Sequence, residues 1–146
     1  MRHMRVAVGQ FAVTGEPERN IEIISEFASQ AAHNQARILL LPEGVIARSD
    51  TDPHYAADHA QTIDGPFVTA LRDISESNGI AIMGTVHLHE NTAPLPYNCF
   101  LVIDHGEILL EYRKIHLYDA FGERESDSIA PGHKVPPLVD IDGWRF

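Results

Sequence analysis

Apolar residues fall along the chain in short runs of two different periods, and the change from one period to the other predicts the elements. Residues 4–11 (MRVAVGQF) put Val6 and Val8 on one side of an extended segment, the period-two pattern of a strand. Thr14-Gly15-Glu16-Pro17 interrupts it, and Pro17 suits a first helical turn, where its missing N–H removes no hydrogen bond. From about Glu18 to His33 the apolar residues Ile21, Ile24, Phe27, Ala28 and Ala31 recur at helical spacing, which predicts an amphipathic helix with one buried stripe. Residues 36–41 form a nearly continuous aliphatic run, as in a strand covered on both faces. Strand, helix and strand in that order predict a crossover unit.

Residues 49–61 (SDTDPHYAADHAQ) are polar, acidic and rich in histidine, and read as a surface excursion. A second helix is predicted over about 66–78, opened by Asp64-Gly65-Pro66, with Phe67, Leu71 and Ile74 as its buried face. Asn78-Gly79 stops it in the left-handed manner. Residues 80–87 (IAIMGTVH) predict a strand, and 90–96 a loop with two prolines. Strands over 97–104 and 108–114 are joined at Asp104-His105-Gly106-Glu107, a tight hairpin. Residues 117–137 read mostly as loop, 138–141 as a strand, Asp142-Gly143 as a turn, and Trp144-Arg145-Phe146 as the start of a further element. The class is α/β. No closing element follows the last turn, so residues 1–146 are expected to be the N-terminal part of one larger domain.

The charge balance narrows the partners. Eleven basic residues face 21 acidic ones, a net charge of −10, which argues against recruitment by nucleic acid or anionic lipid. Hydrophobic residues make up 44% of the chain, enough for a real core in a soluble domain. No apolar run reaches the length of a membrane span, and the start carries no secretory pattern. Cys99 is the single cysteine, so an internal disulfide is ruled out. It suits a reducing, cytoplasmic setting.

The stretch LLLPEGV places a carboxylate, Glu43, directly after an aliphatic strand. In open α/β sheets such positions project into a ligand crevice; the plainer alternative is a solvated loop residue. Lys114 is one of two lysines, with Lys134, and ends a strand. Most lysines are surface charges, but beside carboxylates an ammonium becomes a fixed charge suited to an oxyanion. Glu123 and Glu125 lie in a charged run that would ordinarily be solvated. Cys99 sits mid-strand, where a thiol usually packs as a small hydrophobe, and no activating partner is implied beside it. Asp50, Asp52, His54, Asp58 and His59 could suggest a metal, yet His54 and His59 are five apart and share no helical face. His87 and His89 alternate on one strand, and His116 reads as support for the corner after Lys114. No Gly-rich phosphate loop, Gly-x-Ser-x-Gly elbow or Cys-x-x-Cys pair occurs.

Taken in order, MRVAVGQF, LLLPEG and YRKIHLYDAFGERESDSIAPG resemble the nitrilase or carbon–nitrogen hydrolase superfamily, over the whole chain. Gly65-Pro66 before a helix and YNCFLVIDHGEI, similar to the family's Asn-containing strand and hairpin, support the likeness. The resemblance implies half of a four-layer α-β-β-α sandwich that assembles into dimers or larger oligomers. It implies hydrolysis of a small amide through a cysteine thioester, with a nitrile or an N-carbamoyl compound as the nearest alternative substrate. Glu43 matches the general base, Lys114 the charge that stabilises the tetrahedral intermediate, and Glu125 the second glutamate, preferred to Glu123 by its Glu-Ser-Asp frame. No metal or organic cofactor is required. The family's cysteine lies on the strand after the Asp-Gly turn, which begins here at Trp144, so the nucleophile is expected beyond Phe146. The partners expected are the small amide, the remaining half of the domain and further copies of the chain. The rival from a different class is an inactive fragment that serves as a binding or structural module.

Overall fold

Residues 3–146 are described by a computed structural model, in which two helical crossovers, one loop reversal and one tight hairpin organise one five-stranded sheet. The elements β1 (Val6–Val8), α1 (Pro17–His33) and β2 (Ile38–Leu40) form the expected crossover, with Val6, Ala7 and Val8 in parallel register with Ile38, Leu39 and Leu40. After a short helix, α2 (Tyr55–Asp58), the helix α3 (Pro66–Asn78) leads into β3 (Ala81–Leu88), which lies parallel to β2. A strand that returns through a helical crossover runs in the same direction, and one that returns directly through a loop or tight turn reverses. Accordingly β4 (Tyr97–Asp104) and β5 (Glu107–Arg113) add antiparallel neighbours, and the strands stand in chain order across the sheet. The segment expected to be mostly loop holds a small hairpin, β6 (Asp119–Ala120) with β7 (Glu123–Arg124), followed by a 3-10 turn at Glu125–Asp127. A second hairpin, β8 (Asp140–Ile141) with β9 (Trp144–Arg145), closes the described residues.

The helix boundaries follow local chemistry. Both α1 and α3 begin at a proline, and α3 ends where Gly79 takes the left-handed conformation at φ +60°, a region open to glycine at little cost. Ile24, Ala28 and Ala31 of α1 and Phe67, Val68, Leu71 and Ile74 of α3 pack on Leu39, Ile82, Val86, Cys99, Leu101 and Ile103, one face of the sheet. Burying an aliphatic side chain of this size contributes about 1.5–3 kcal/mol, so this face carries most of the hydrophobic stabilisation.

The opposite face is treated differently. Ile38, Ala81, Met83 and Val102 cluster there with Val139 and Ile141, and the partly buried Met4, Phe100 and Leu110 pack against them. Val6 is 47% and Val8 73% exposed, and Val6 and Leu40 border an apolar groove of about 310 Å³. The first strand does put Val6 and Val8 on one side, and that side is the exposed one, while Ala7 packs on the helix-covered core. One expectation is corrected. The strand of residues 36–41 is closed on one face and partly open on the other, and its aliphatic run reflects two apolar faces rather than two covered ones. The helices and sheet supply one α layer and one β layer of the expected sandwich.

Arg37 locks the last hairpin to the sheet. Its guanidinium donates to both carboxylate oxygens of Asp104 at 2.8 Å and, through Nε, to Asp142 at 2.7 Å. The bond to Arg37 holds the Asp104 carboxyl below its ordinary value despite its desolvation. Replacing Asp104 by Asn is expected to cost about 1.5–3 kcal/mol at neutral pH, measured by urea unfolding. A depressed folded-state pKa adds stability above the ordinary carboxylate range that is lost as pH falls through the depressed value. The difference between parent and Asp104→Asn should therefore shrink in strong acid; a difference that stays constant would contradict the assignment.

Candidate active site

Pro42 and Glu43 lead out of β2 into a turn that β3 holds in place. Leu41 N–H donates to Met83 O at 2.8 Å, Gly44 N–H to Thr85 Oγ1 at 2.6 Å, and Val45 N–H to Thr85 O at 3.0 Å. Gly44 adopts φ +67°, and a β-carbon there would lie 3.3 Å from the His87 ring, so the turn needs glycine twice over. The result is a carboxylate aimed along the sheet from the carboxyl end of β2, which answers what the charged tip of an aliphatic strand is for.

Lys114 arrives from β5. Its backbone N–H donates to Asn98 O at 2.9 Å, which continues the β4–β5 ladder by one step, and its carbonyl accepts from Gly132 N–H at 2.8 Å. Gly132 passes so close that a β-carbon would collide with the Arg113 carbonyl. With its backbone fixed on both sides, the lysine directs its ammonium at two acids. Nζ lies 3.1 Å from Glu43 Oε1 and 2.9 Å from Glu125 Oε2. Glu125 heads the 3-10 turn and is the most buried of the three, with 18% of its side chain exposed. Its Oε2 also accepts from Tyr118 N–H at 2.7 Å, while its own N–H donates to Tyr118 O at 3.0 Å. Asp119 caps the same turn through Ser126 N–H and Oγ.

The electrostatics of the cluster are reciprocal. Partial desolvation pushes the Glu43 carboxyl up, but the hydrogen bond and charge of Lys114, with the Asn98 amide, outweigh it and hold the group below its ordinary value. Burial alone would lower Lys114, and the bonds to Glu125 and Glu43 more than reverse this, so its pKa lies above the usual lysine range. At neutral pH the site thus holds an ionised Glu43 and a charged Lys114. It opens on a cavity of about 780 Å³ bounded by the 48–57 loop on one side and the β6–β7 hairpin on the other.

Glu43, Lys114 and Glu125 therefore meet, though 71 and 11 residues separate Lys114 from its two partners. Glu123 lies exposed on β7, and Lys114 pairs with Glu125 instead. Cys99 does not join them. It is fully buried on the helix-facing side of β4, while its neighbour Asn98 points to the other face, and burial followed by the charge of Glu111 pushes its thiol up to about 12. The acidic, His-rich excursion has other uses: His59 stacks on Tyr55 at 4.0 Å and its Nδ1 pairs with Tyr55 O, while His54 is exposed. Among the described residues no three His, Cys, Asp or Glu side chains could hold a metal ion together. His116 is exposed beside the corner.

Two residues belong to the site that sequence reasoning did not place there. Asn98, 2% exposed, donates Nδ2 to Glu43 Oε1 at 2.7 Å. His87, 7% exposed, stands opposite Asn98 in the β3–β4 ladder and forms part of the cavity wall, with desolvation holding its imidazole below the ordinary value and hence neutral. The available signal was positional: each is a polar side chain on the same face of a strand otherwise built from apolar residues.

Comparison with known proteins places the chain in a family. Residues 5–146 match the model of the carbon–nitrogen hydrolase family. The chain is 37% identical over 142 residues to the deaminated glutathione amidase of Escherichia coli, covering 97% of this chain and 54% of that protein. Its fold superposes with a TM-score of 0.84 on XC1258 of Xanthomonas campestris, a CN-hydrolase superfamily protein with an arsenic adduct in its active site, at 27% identity and covering 99% of this chain and 52% of the other. An amidase of Nesterenkonia, in a form carrying acrylamide added at its active-site cysteine, matches with a TM-score of 0.76 at 25% identity, covering 98% of this chain and 55% of its own. The chain spans about half the length of each of these proteins. A glutamate–lysine–glutamate cluster at the mouth of an α/β sheet, and a family match over almost every residue, lead to one assignment: the chain belongs to the carbon–nitrogen hydrolase family.

Proposed function

We propose that the protein hydrolyses a small amide through a cysteine thioester, and that these 146 residues supply the acid–base and electrostatic half of the machinery. The observation that carries this reading is the Lys114 ammonium in contact with both Glu43 and Glu125 at the cavity edge. The relatives named as amidases support the bond class. An amide is a weak electrophile with a poor leaving group, and attack by sulfur divides its cleavage into two easier steps. Glu43, held ionised, takes the thiol proton as sulfur attacks the carbonyl carbon and delivers it to the departing nitrogen. Lys114 offsets the charge that develops on the carbonyl oxygen, and Glu125 keeps the ammonium aimed there. Glu43 then takes a proton from water as water attacks the thioester, releasing the acid and restoring the thiol.

The nucleophile lies beyond Phe146 in the complete protein. Cys99 is unsuited to the part, being a buried thiol with a raised pKa on the wrong face of β4. The open apolar face around Val6, Val8 and Leu40 is covered by the second sheet of the sandwich, and the substrate binds between the two halves. The 146 residues alone are thus expected to be inactive and to associate, whether with the rest of the domain or with further copies. No described helix is long and apolar enough to cross a membrane. A cytoplasmic setting is part of the same proposal.

In the complete gene product, Glu43→Gln and Lys114→Ala should each reduce ammonia release from short aliphatic amides by about 10²-fold or more, while Cys99→Ala should retain turnover in its folded fraction. Near-parental activity in either of the first two, or an inactive but folded Cys99→Ala, would overturn the assignment. A direct probe of the thiol is alkylation by iodoacetamide at neutral pH, followed by peptide mapping. Cys99 should react at least about 100-fold more slowly in the native protein than in denaturant, and comparable rates would show that it is neither buried nor suppressed.

A further inference from the structure

Asn98 is bonded to every member of the charged cluster. Its backbone carbonyl accepts from Lys114 N–H at 2.9 Å, and its side-chain Nδ2 donates to Glu43 Oε1 at 2.7 Å and reaches Glu125 Oε1 at 3.5 Å. The orientation of the amide follows from the acids. Ionised carboxylates only accept, so the NH₂ group must face them and Oδ1 must turn away. There it is buried without a partner, and so is His87 Nδ1 on the residue directly across the ladder. These are the two buried side-chain polar atoms left unbonded among the described residues. A merely structural asparagine would rotate to satisfy its oxygen. Here a short charge-assisted bond to Glu43, roughly twice as strong as a neutral one, and a longer contact to Glu125 hold it in the opposite sense.

The geometry points to Asn98 as a positioning residue for the proposed hydrolysis, one that fixes which oxygen of Glu43 takes the proton. Nδ2 and Lys114 Nζ both donate to Oε1, at 2.7 and 3.1 Å. No described residue donates to Oε2, which is left as the basic oxygen. Because β4 is paired on both sides and Asn98 is 2% exposed, the carboxylate is held at one oxygen while 62% of the Glu43 side chain stays open to the cavity. The titratable groups facing Glu43 are Lys114 after β5, Glu125 on the 3-10 turn and His87 on β3. Asn98 is an uncharged group bonded directly to Glu43, so its removal changes the hydrogen bonding of Glu43 without removing a charge.

This inference rests on the proposed reaction, and the test separates the two. The complete gene product is assayed by ammonia release from short primary amides, using whichever the parent turns over fastest. Asn98→Leu fills a similar volume without a donor. It is expected to lower kcat by about 10²-fold while KM stays within about threefold, because the lost interaction acts on the base rather than on substrate binding. The acidic limb of the kcat/KM profile should move to higher pH, since Glu43 loses a donor that stabilises its ionised form. Asn98→Asp, close to isosteric, provides the same readout if the leucine variant folds poorly, and the added carboxylate should move the limb further in the same direction. Misfolding lowers the active fraction and cannot move a pH limb. Folded variants with the limb unmoved would overturn the role of Asn98, provided Glu43→Gln is inactive. Full turnover by Glu43→Gln would instead overturn the reaction, and the positioning role with it.

Discussion

The site depends on one ammonium held between two carboxylates. Lys114 alone would be a partly buried cation short of solvent, and Glu43 and Glu125 without it would repel each other across a few ångströms. Together they stabilise one another's charged forms, and the same contacts that raise the pKa of the lysine depress that of Glu43. An exposed pair of this kind would contribute little to stability. In the proposed reaction its value is in fixing charges at a cavity edge, where a preorganised field acts on charge as it develops and needs no rearrangement.

The fold can be understood as the means of delivering these groups. The turn after β2 is tied to Thr85, Lys114 is tied to Asn98, and Glu125 is tied to Tyr118, so three remote segments converge on the ends of β3 and β4. The two faces of the sheet divide the work. The face under α1 and α3 supplies the packed core and hides Cys99. The other face carries His87 and Asn98 at one end and an uncovered apolar groove along its length. Site and groove share one surface, so whatever covers the groove also stands beside the cluster. This follows from the period of a strand: Asn98 and Cys99 are neighbours in sequence and point to opposite faces.

Much of this was legible from residues alone. The two helices, the crossover and the hairpin at Asp104–Glu107 follow from periodicity and from turn residues whose conformations the chain then adopts, with His105 and Gly106 both at positive φ. Glu43, Lys114 and Glu125 were legible as a resemblance in motif order, and their convergence required three dimensions. Three things were hidden for physical reasons. Exposure of Val6 and Val8 could not be read, because an alternating pattern reports two faces and not what covers them. The hairpin at Asp119–Arg124 was hidden in a polar run, since two-residue strands have no period to detect. Asn98 was hidden because a single amide in a strand looks like an edge or turn residue until its partners, Glu43 at 55 residues' distance and Glu125 at 27, are brought beside it.

The central claim is that Glu43 and Lys114 form one electrostatic unit, and it is tested most directly by a carbon-13 NMR titration of the Glu43 side-chain carboxyl in the complete protein and in Lys114→Met. The account expects Glu43 to titrate below the ordinary glutamate value in the parent and to rise when the ammonium is removed. An ordinary value in the parent, unchanged by Lys114→Met, would show that the two head groups are independently solvated and would contradict it.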